Sequence, residues 1–259
     1  MAEAFRVAIP ARYGSSRLPG KPLRRLAGRT LLEHVHRVAR ASGAAEVVVA
    51  TDDERIRAEA ERFGAEVCMT AADHASGTDR LAEVVRRRGW PDQTVVVNLQ
   101  GAEPLLPPQL LQQAAATLQA HPQAGIATLC TPIRDPDELF DPHLVKVVCD
   151  GTGRALYFSR APLPWHREAF AAGRPAVLPP GVWWRHIGVY AYRAVTLRAF
   201  PALPPGPLEP VEALEQLRAL HNGVPVQVSA IEQAPPAGVD TEADLARVEA
   251  LLRQAEDGS

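Results

Sequence analysis

One loop constrains this chain more than any other stretch: Ile9-Pro10-Ala11-Arg12-Tyr13-Gly14-Ser15-Ser16-Arg17-Leu18-Pro19-Gly20-Lys21-Pro22. It follows a short apolar run, Phe5 to Ile9, that reads as a first β-strand. A glycine- and serine-containing loop at the end of a first strand is where an open α/β sheet receives a nucleotide. Arg12, Arg17 and Lys21 place three cations at intervals of five and four residues. The small residues between them let backbone N–H groups come close to phosphate oxygens. The loop is thus suited to hold a polyphosphate by charge and backbone together. Only two of the 28 basic residues are lysines, Lys21 and Lys146. A compact ammonium is a point charge that follows a moving phosphate more readily than a guanidinium fork, which sets Lys21 apart.

Beyond the loop, strands and helices alternate. Apolar runs predict strands over Arg6–Pro10, Glu46–Thr51, Glu66–Met69, Thr94–Gln100 and Ile126–Pro132. Amphipathic spacing predicts helices over Thr30–Ala41, Asp53–Phe63, Thr78–Arg88 and Pro107–Ala120. Val95-Val96-Val97 has the continuous apolar character of a central parallel strand covered on both faces. The expected fold is α/β: an open, mostly parallel nucleotide-binding sheet flanked by helices, with a smaller mixed lid or dimerisation region. That region follows residue 133, where strands at Val145–Cys149, Ala155–Ser159 and His186–Tyr192 lack long intervening helices. Pro162 to Gly181 reads as a loop, Leu208–Leu220 as a helix, Val226–Ile231 as a strand and Thr241–Arg253 as a final helix. Thr241 and Asp244 resemble a capping box. One domain is expected, with residues 1–133 binding nucleotide, 134–225 forming the inserted sugar-binding and association region, and 226–259 returning to the site.

Composition excludes some classes. A net charge of −2 over 259 residues lacks the basic excess of a nucleic-acid binder. No run of 18 apolar residues and no signal pattern is present. Cys68, Cys130 and Cys149 form no C-x-x-C and read as small buried hydrophobes in a reducing compartment. The expectation is a cytoplasmic protein with neither nucleic-acid nor membrane partners.

Several segments could carry chemistry. Asp73-His74-Ala75-Ser76-Gly77-Thr78-Asp79-Arg80 precedes a helix; its hydroxyls and N–H groups suit a base or ribose, while Ser76 or Thr78 equally suits a helix cap. Asn98-Leu99-Gln100-Gly101-Ala102-Glu103-Pro104 ends the central strand, where open α/β sheets hold ligands. Arg160, Arg185 and His186 could meet an anionic substrate. Glu212, Glu215 and Gln216 would share one face of a short helix at three- and four-residue spacing, as a site or as a solvated face. Asp240, at a turn before the last helix, suits a cap or an Mg²⁺ ion.

These motifs together resemble the bacterial 3-deoxy-manno-octulosonate (Kdo) cytidylyltransferases, the CMP-Kdo synthetases of lipopolysaccharide biosynthesis. The resemblance runs from Val7 to about Val248. It rests on Ile9–Tyr13 with Arg17–Pro22, Ala50-Thr51-Asp52, Val67–Thr70, Ser76–Glu83, Val97–Gly101, Phe140-Asp141-Pro142, Val145–Val148, Ala155–Ala161, Arg185–Tyr190 and Leu214–Arg218. It implies that CTP and Kdo give CMP-Kdo and pyrophosphate by attack of the sugar hydroxyl on the α-phosphorus. It implies Pro10, Ala11, Arg12, Arg17, Lys21, Ser76, Thr78, Arg80 and Gln100 at the nucleotide. Gln100, Arg160, His186, Tyr190, Glu212 and Gln216 are implied at the sugar acid. Arg17, Lys21 and Asp240 are implied in catalysis, with Mg²⁺ at Asp240, and a homodimer is the family habit.

One departure stands out. Where the family has Asp as the second metal ligand, this chain has Ala102, and alanine cannot coordinate a metal. Glu103 is adjacent, but successive side chains diverge in extended backbone. The sequence therefore also admits a non-catalytic binder of CTP or a CMP-sugar. A cytidylyltransferase for a related acid, 8-amino-Kdo or a sialic acid, is a further alternative.

Overall fold

The computed structural model describes residues 4–14 and 17–257, and leaves the side chains of residues 255–257 undescribed. Ser15 and Ser16 of the cationic loop lie outside the described residues. In chain order the first elements are β1 (Arg6–Pro10), β2 (Arg25–Leu26), β3 (Arg29–Thr30), α1 (Leu31–Ala41), β4 (Glu46–Thr51), α2 (Glu54–Arg62), β5 (Glu66–Met69), α3 (Gly77–Arg88) and β6 (Val95–Asn98). There follow α4 (Pro108–Ala120), β7 (Ile126–Pro132), α5 (Pro136–Phe140), β8 (Lys146–Cys149), β9 (Ala155–Ser159), β10 (Trp184–Arg193), α6 (Ala194–Ala199), α7 (Leu208–Glu212), α8 (Gln216–His221), β11 (Val226–Ala230) and α9 (Glu242–Asp257). No helix among the described residues is long and apolar enough to cross a membrane.

The chain divides into two compact units: residues 1–115, 191–201 and 235–259, and residues 116–190 and 202–234. These boundaries differ from the three segments expected from sequence. The reason for one difference is visible in the pairing: β11 lies parallel to β7 over five residues, Val226↔Ile126 to Ala230↔Cys130. That ladder ties residues 226–230 to the second unit, while α9 belongs to the first.

In the first unit, β6-β1-β4-β5 run parallel in that order. Val7 pairs with Val47 on one side and Val97 on the other. Val7, Ala8, Ile9, Val48, Val49, Val96 and Val97 are completely buried, as apolar strands covered on both faces require. The helices begin where local chemistry ends their orphan N–H groups. Thr30 accepts from the Glu33 N–H, Asp53 from Arg55 and Ile56, and Ser76 from Asp79. The predicted capping box forms in full, with Thr241 N–H donating to Asp244 and Asp244 N–H to the Thr241 hydroxyl. Strand order matters for function. The chain leaves β1 toward β4 on one side and reaches β6 on the other, so loops after β1 and β6 diverge and open a crevice.

The second unit holds β11, β7, β8, β9 and residues 184–190 of β10. β8 is antiparallel to both β9 and β10, giving the mixed region expected. The 162–181 stretch is a loop, yet it contributes Phe170 to a buried cluster with Ile133, Leu139 and Trp183. One expected element is corrected. The Leu208–Leu220 helix is broken into α7 and α8 at Ala213, whose φ is +51°. Glu212 therefore ends one helix and Gln216 begins the next, and the shared face drawn from helical spacing does not exist.

Candidate active site

The crevice between β1 and β6 in the first unit carries two adjoining cavities. One, about 160 Å³, is lined by Pro10, Ala11, Arg12, His74, Ala75, Ser76, Gly77, Arg80 and Gln100. The other, about 280 Å³, is lined by the same Pro10–Arg12 turn and Gln100, with Gly14, Arg17, Lys21, Pro22, Gly101, Ala102 and Asp240. Exposed Arg12 and Gln100 face both. The three cations expected from the loop thus line one cavity together.

Gly20 fixes the bend of that loop. Its φ is +66°, and a Cβ there would stand 3.2 Å from the Tyr13 ring. Tyr13 in turn lies under the Arg55 guanidinium, 3.4 Å from the ring centroid. Beyond the bend, Lys21 Nζ donates to the Val239 carbonyl and to Asp240 Oδ1, both at 3.1 Å. Arg17 Nη2 lies 3.2 Å from Asp240 Oδ2. The segments 101–103 and 238–240 run against each other, with Val239 N–H donating to the Ala102 carbonyl at 2.8 Å. Close approach requires glycine at both levels. A Cβ on Gly101 would sit 3.0 Å from the Pro10 carbonyl, and one on Gly238 2.5 Å from Glu103 Oε1. Ala102 and Asp240 consequently share a cavity, with the Glu103 carboxyl beside Gly238. Burial and the neighbouring Asp240 charge push the Glu103 pKa up.

The smaller cavity ends at the start of α3. Ser76 lines it, and its Oγ accepts from the Asp79 N–H as the helix cap. Arg80 is buried, held by Thr70 Oγ1 and lying 2.8 Å from Asp52 Oδ1. Thr78 is a correction: it is 3% exposed inside the first turn of α3 and lines neither cavity. His74 is the residue that motif reading left without a role. Its Nε2 lies 2.5 Å from Glu83 Oε2. Burial opposes the charge on Glu83, but the Ala71 N–H, His74 and Arg87 outweigh it and hold the carboxyl at about 2. The sequence signal was present in the spacing, a histidine nine residues before a glutamate on the first helical turns.

The residues expected at the sugar acid, other than Gln100, belong to the second unit. Glu212 is committed within the chain: Oε1 accepts from Ser159 Oγ at 2.5 Å and Tyr157 Oη at 3.2 Å, and Oε2 from the Arg160 N–H at 2.9 Å. Burial works against its charge, and those donors keep its pKa low. Arg160 Nε donates to the Glu212 carbonyl and Nη1 to that of Pro142. Glu212 thus anchors the end of β9 rather than offering a free carboxylate. His186 packs against Phe158 and Tyr190, with ring centroids 5.0 and 5.3 Å away. Its Nε2 lies 2.9 Å from Thr128 Oγ1. Burial pushes its pKa down to about 3, so the imidazole is neutral and meets a substrate through hydrogen bonds rather than charge. Arg185 pairs with Glu138 at 3.5 Å. Gln216, half-buried at the start of α8, keeps an amide with no partner among the described residues.

Against known proteins, a family model described as cytidylyltransferase matches residues 7–231. The 3-deoxy-manno-octulosonate cytidylyltransferase of Nitrosococcus oceani is 57% identical over 250 residues, 96% of each chain. The chain belongs to the 3-deoxy-manno-octulosonate cytidylyltransferase family. Its counterpart in Halorhodospira halophila is 56% identical, covering 96% of this chain and 97% of that protein. A solved structure of CMP:2-keto-3-deoxy-manno-octonic acid synthetase complexed with CTP superposes with a TM-score of 0.88. It is 40% identical and covers 98% of this chain and 100% of its own. Membership in this cytidylyltransferase family agrees with the sequence resemblance and with the cationic crevice.

Proposed function

We propose that this chain joins CTP to Kdo, releasing pyrophosphate and forming CMP-Kdo for lipopolysaccharide biosynthesis. The observation that carries the reading is the convergence of Arg12, Arg17 and Lys21 on one cavity of the β1–β6 crevice. The triphosphate lies along these cations, and the base and ribose in the cavity of Ser76, Arg80 and His74. In-line attack by the sugar hydroxyl on the α-phosphorus needs orientation and charge neutralisation more than covalent help. Lys21 and Arg17 neutralise charge that grows on the departing pyrophosphate. Gln100, exposed to both cavities, positions the α-phosphoryl end. Arg160 of the second unit pairs with the sugar carboxylate, while Tyr190, Gln216 and neutral His186 offer hydrogen bonds to its hydroxyls. The test is pyrophosphate release with CTP and Kdo, set against UTP, ATP, sialic acid and 8-amino-Kdo. Release only with the alternative acids would redirect the substrate.

A divalent ion, Mg²⁺, is the expected cofactor. The donor set fits modestly. Asp240 is half exposed at the cavity, and no group of three or more His, Cys, Asp or Glu able to hold a metal occurs among the described residues. Mg²⁺ is commonly held by one or two carboxylates plus substrate phosphates, so Asp240 with the triphosphate suffices for binding. When bound, the ion supplies charge neutralisation at the phosphoryl oxygens. Ala102 favours a second reading, a chain that binds CTP yet turns over slowly. A cytoplasmic homodimer completes the proposal. Leu156 on β9, with Trp165, Val177 and Val182 in the following loop, are exposed apolar side chains of the second unit, and sedimentation equilibrium tests the dimer.

A further inference from the structure

Lys146 is the other lysine of an arginine-rich chain, and the site just described does not use it. Its side chain is 0% exposed. It begins β8 opposite Ser159 of β9, and opposed residues of an antiparallel pair face the same way. Nζ donates to the carbonyls of Asp141 at 2.8 Å and Leu144 at 2.5 Å. No carboxylate forms an ion pair with it among the described residues. Burial lowers its pKa and outweighs the Asp141 and Glu212 charges, which favour the ammonium without pairing with it. A buried ammonium bonded only to carbonyls is costly, and a well-packed apolar side chain commonly gives equal or better stability. Packing therefore does not account for a lysine here.

Its two bonds fix a turn. Asp141 and Leu144 bracket Pro142, and the Leu144 N–H also returns to the Asp141 carbonyl at 3.2 Å. The Pro142 carbonyl accepts from Arg160 Nη1 at 2.9 Å, and the Glu212 carbonyl accepts from Arg160 Nε at 2.8 Å. Two fixed acceptors set the plane of a guanidinium. Nη2 of Arg160 has no partner among the described residues. We propose that Lys146 is a positioning residue: by holding the carbonyls on either side of Pro142, it sets the Arg160 guanidinium for the carboxylate of the sugar acid. The inference rests on the assignment of Arg160 made above.

The test is a binding cycle, free of turnover. Kdo is titrated calorimetrically into the CTP-loaded chain in the presence of a chelator, and CTP is titrated separately. The chains are wild type, Lys146→Met, Arg160→Ala and the double variant. Lys146→Met is expected to weaken Kdo about tenfold, the scale of one misaligned charge-assisted contact. CTP affinity should stay within about twofold. In the Arg160→Ala background Lys146→Met should add almost nothing, because coupled residues are non-additive. Unchanged Kdo affinity in Lys146→Met, equal loss of CTP affinity, or full additivity with Arg160→Ala overturns the inference. Unchanged Kdo affinity in Arg160→Ala overturns instead the assignment on which it rests. Should Lys146→Met fail to fold, Lys146→Gln keeps two N–H donors without the charge. A folded Lys146→Gln with near-native Kdo affinity supports positioning, and one that also fails to fold makes Lys146 structural and ends the proposal.

Discussion

Ala102→Asp places a side-chain carboxylate where the family resemblance implies a metal-ligand Asp and this chain has alanine. The backbone there is already fixed, since the Ala102 carbonyl accepts from Val239 and the flanking Gly101 packs on Pro10. The new carboxylate enters the cavity that Asp240 lines. Without metal, two like charges about 6 Å apart at an effective dielectric near 20 repel by roughly 3 kcal/mol. Arg12, Arg17 and Lys21 line the same cavity and offset most of this, so stability should fall by no more than about 1 kcal/mol. With metal, a second charged ligand contributes about 1.5–3 kcal/mol, which lowers the half-saturating Mg²⁺ concentration about ten- to a hundredfold. Holding the ion to two carboxylates also removes a positional error. An error of about 1 Å costs on the order of 10²-fold in rate, so kcat should rise by a similar factor.

The assay is steady-state pyrophosphate release by both chains across Mg²⁺ concentration, beside calorimetric titration of Mg²⁺ into each CTP complex. Equal rates and equal Mg²⁺ affinity at every concentration would refute the reasoning. Glu103, adjacent to Gly238, is then the next carboxylate to test. Glu103→Gln in the wild-type background would lower the rate if it holds the ion, and would leave it unchanged if a single carboxylate suffices.

Lys21→Ala should weaken CTP binding by roughly 1.5–3 kcal/mol, one charge-assisted contact, and Lys21→Arg should restore only part of it because a fork replaces a point charge; calorimetry reads both. His186, with a folded pKa of about 3 against an ordinary value of 6.5, makes the unfolded chain bind the extra proton between those pH values. Its contribution to stability is therefore lost as pH falls from 6.5 toward 3, and His186→Gln should flatten that part of the melting-temperature profile. Asp244→Ala removes the reciprocal cap of α9 and should cost about 0.5–2 kcal/mol in chemical denaturation. The Thr241 bond, with Arg247 and two backbone N–H groups, outweighs burial and holds Asp244 at about 2, so its contribution persists above about pH 3.8 and fades as pH falls through 2.

The legible parts of the fold were those dictated by local periodicity. β1, β4, β5, β7 and β9 have the bounds that their apolar runs predict, and α1 and α2 have their predicted first residues as caps, Thr30 and Asp53. The cationic loop was legible because its charges and glycine lie within one stretch of chain. The break at Ala213 was not, since Leu214 and Leu217 continue an apolar pattern and no glycine marks the left-handed residue. Glu212 misled for another reason. Its partners Ser159, Tyr157 and Arg160 are 53, 55 and 52 residues away, and no sequence spacing announces that a carboxylate is spent on a distant strand. His186 likewise owes its neutrality to Phe158 and Tyr190, packing that sequence does not show.

Asp240 has two claims on its carboxylate, and their magnitudes decide between them. In the structure it pairs with Lys21 and Arg17; its own side chain is 50% exposed and that of Arg17 66%. The Arg17 pair, exposed on both sides, contributes about 0–1 kcal/mol; the Lys21 side chain is 20% exposed, but its partner carboxylate is half exposed, which screens that pair as well. The same two cations gain about 1.5–3 kcal/mol for each charge-assisted bond to a phosphate. A triphosphate would therefore draw Arg17 and Lys21 from Asp240 at little cost, leaving a carboxylate that could hold a divalent ion. Arg24 gives a contrast in place: its bidentate pair with Glu242, at 2.5 and 2.8 Å, lies outside both cavities, and at 39% and 65% exposure it too is a solvent-screened pair of small worth. The pairs of Asp240 inside the cavity could thus exchange on nucleotide binding without disturbing the Arg24–Glu242 pair at the start of α9.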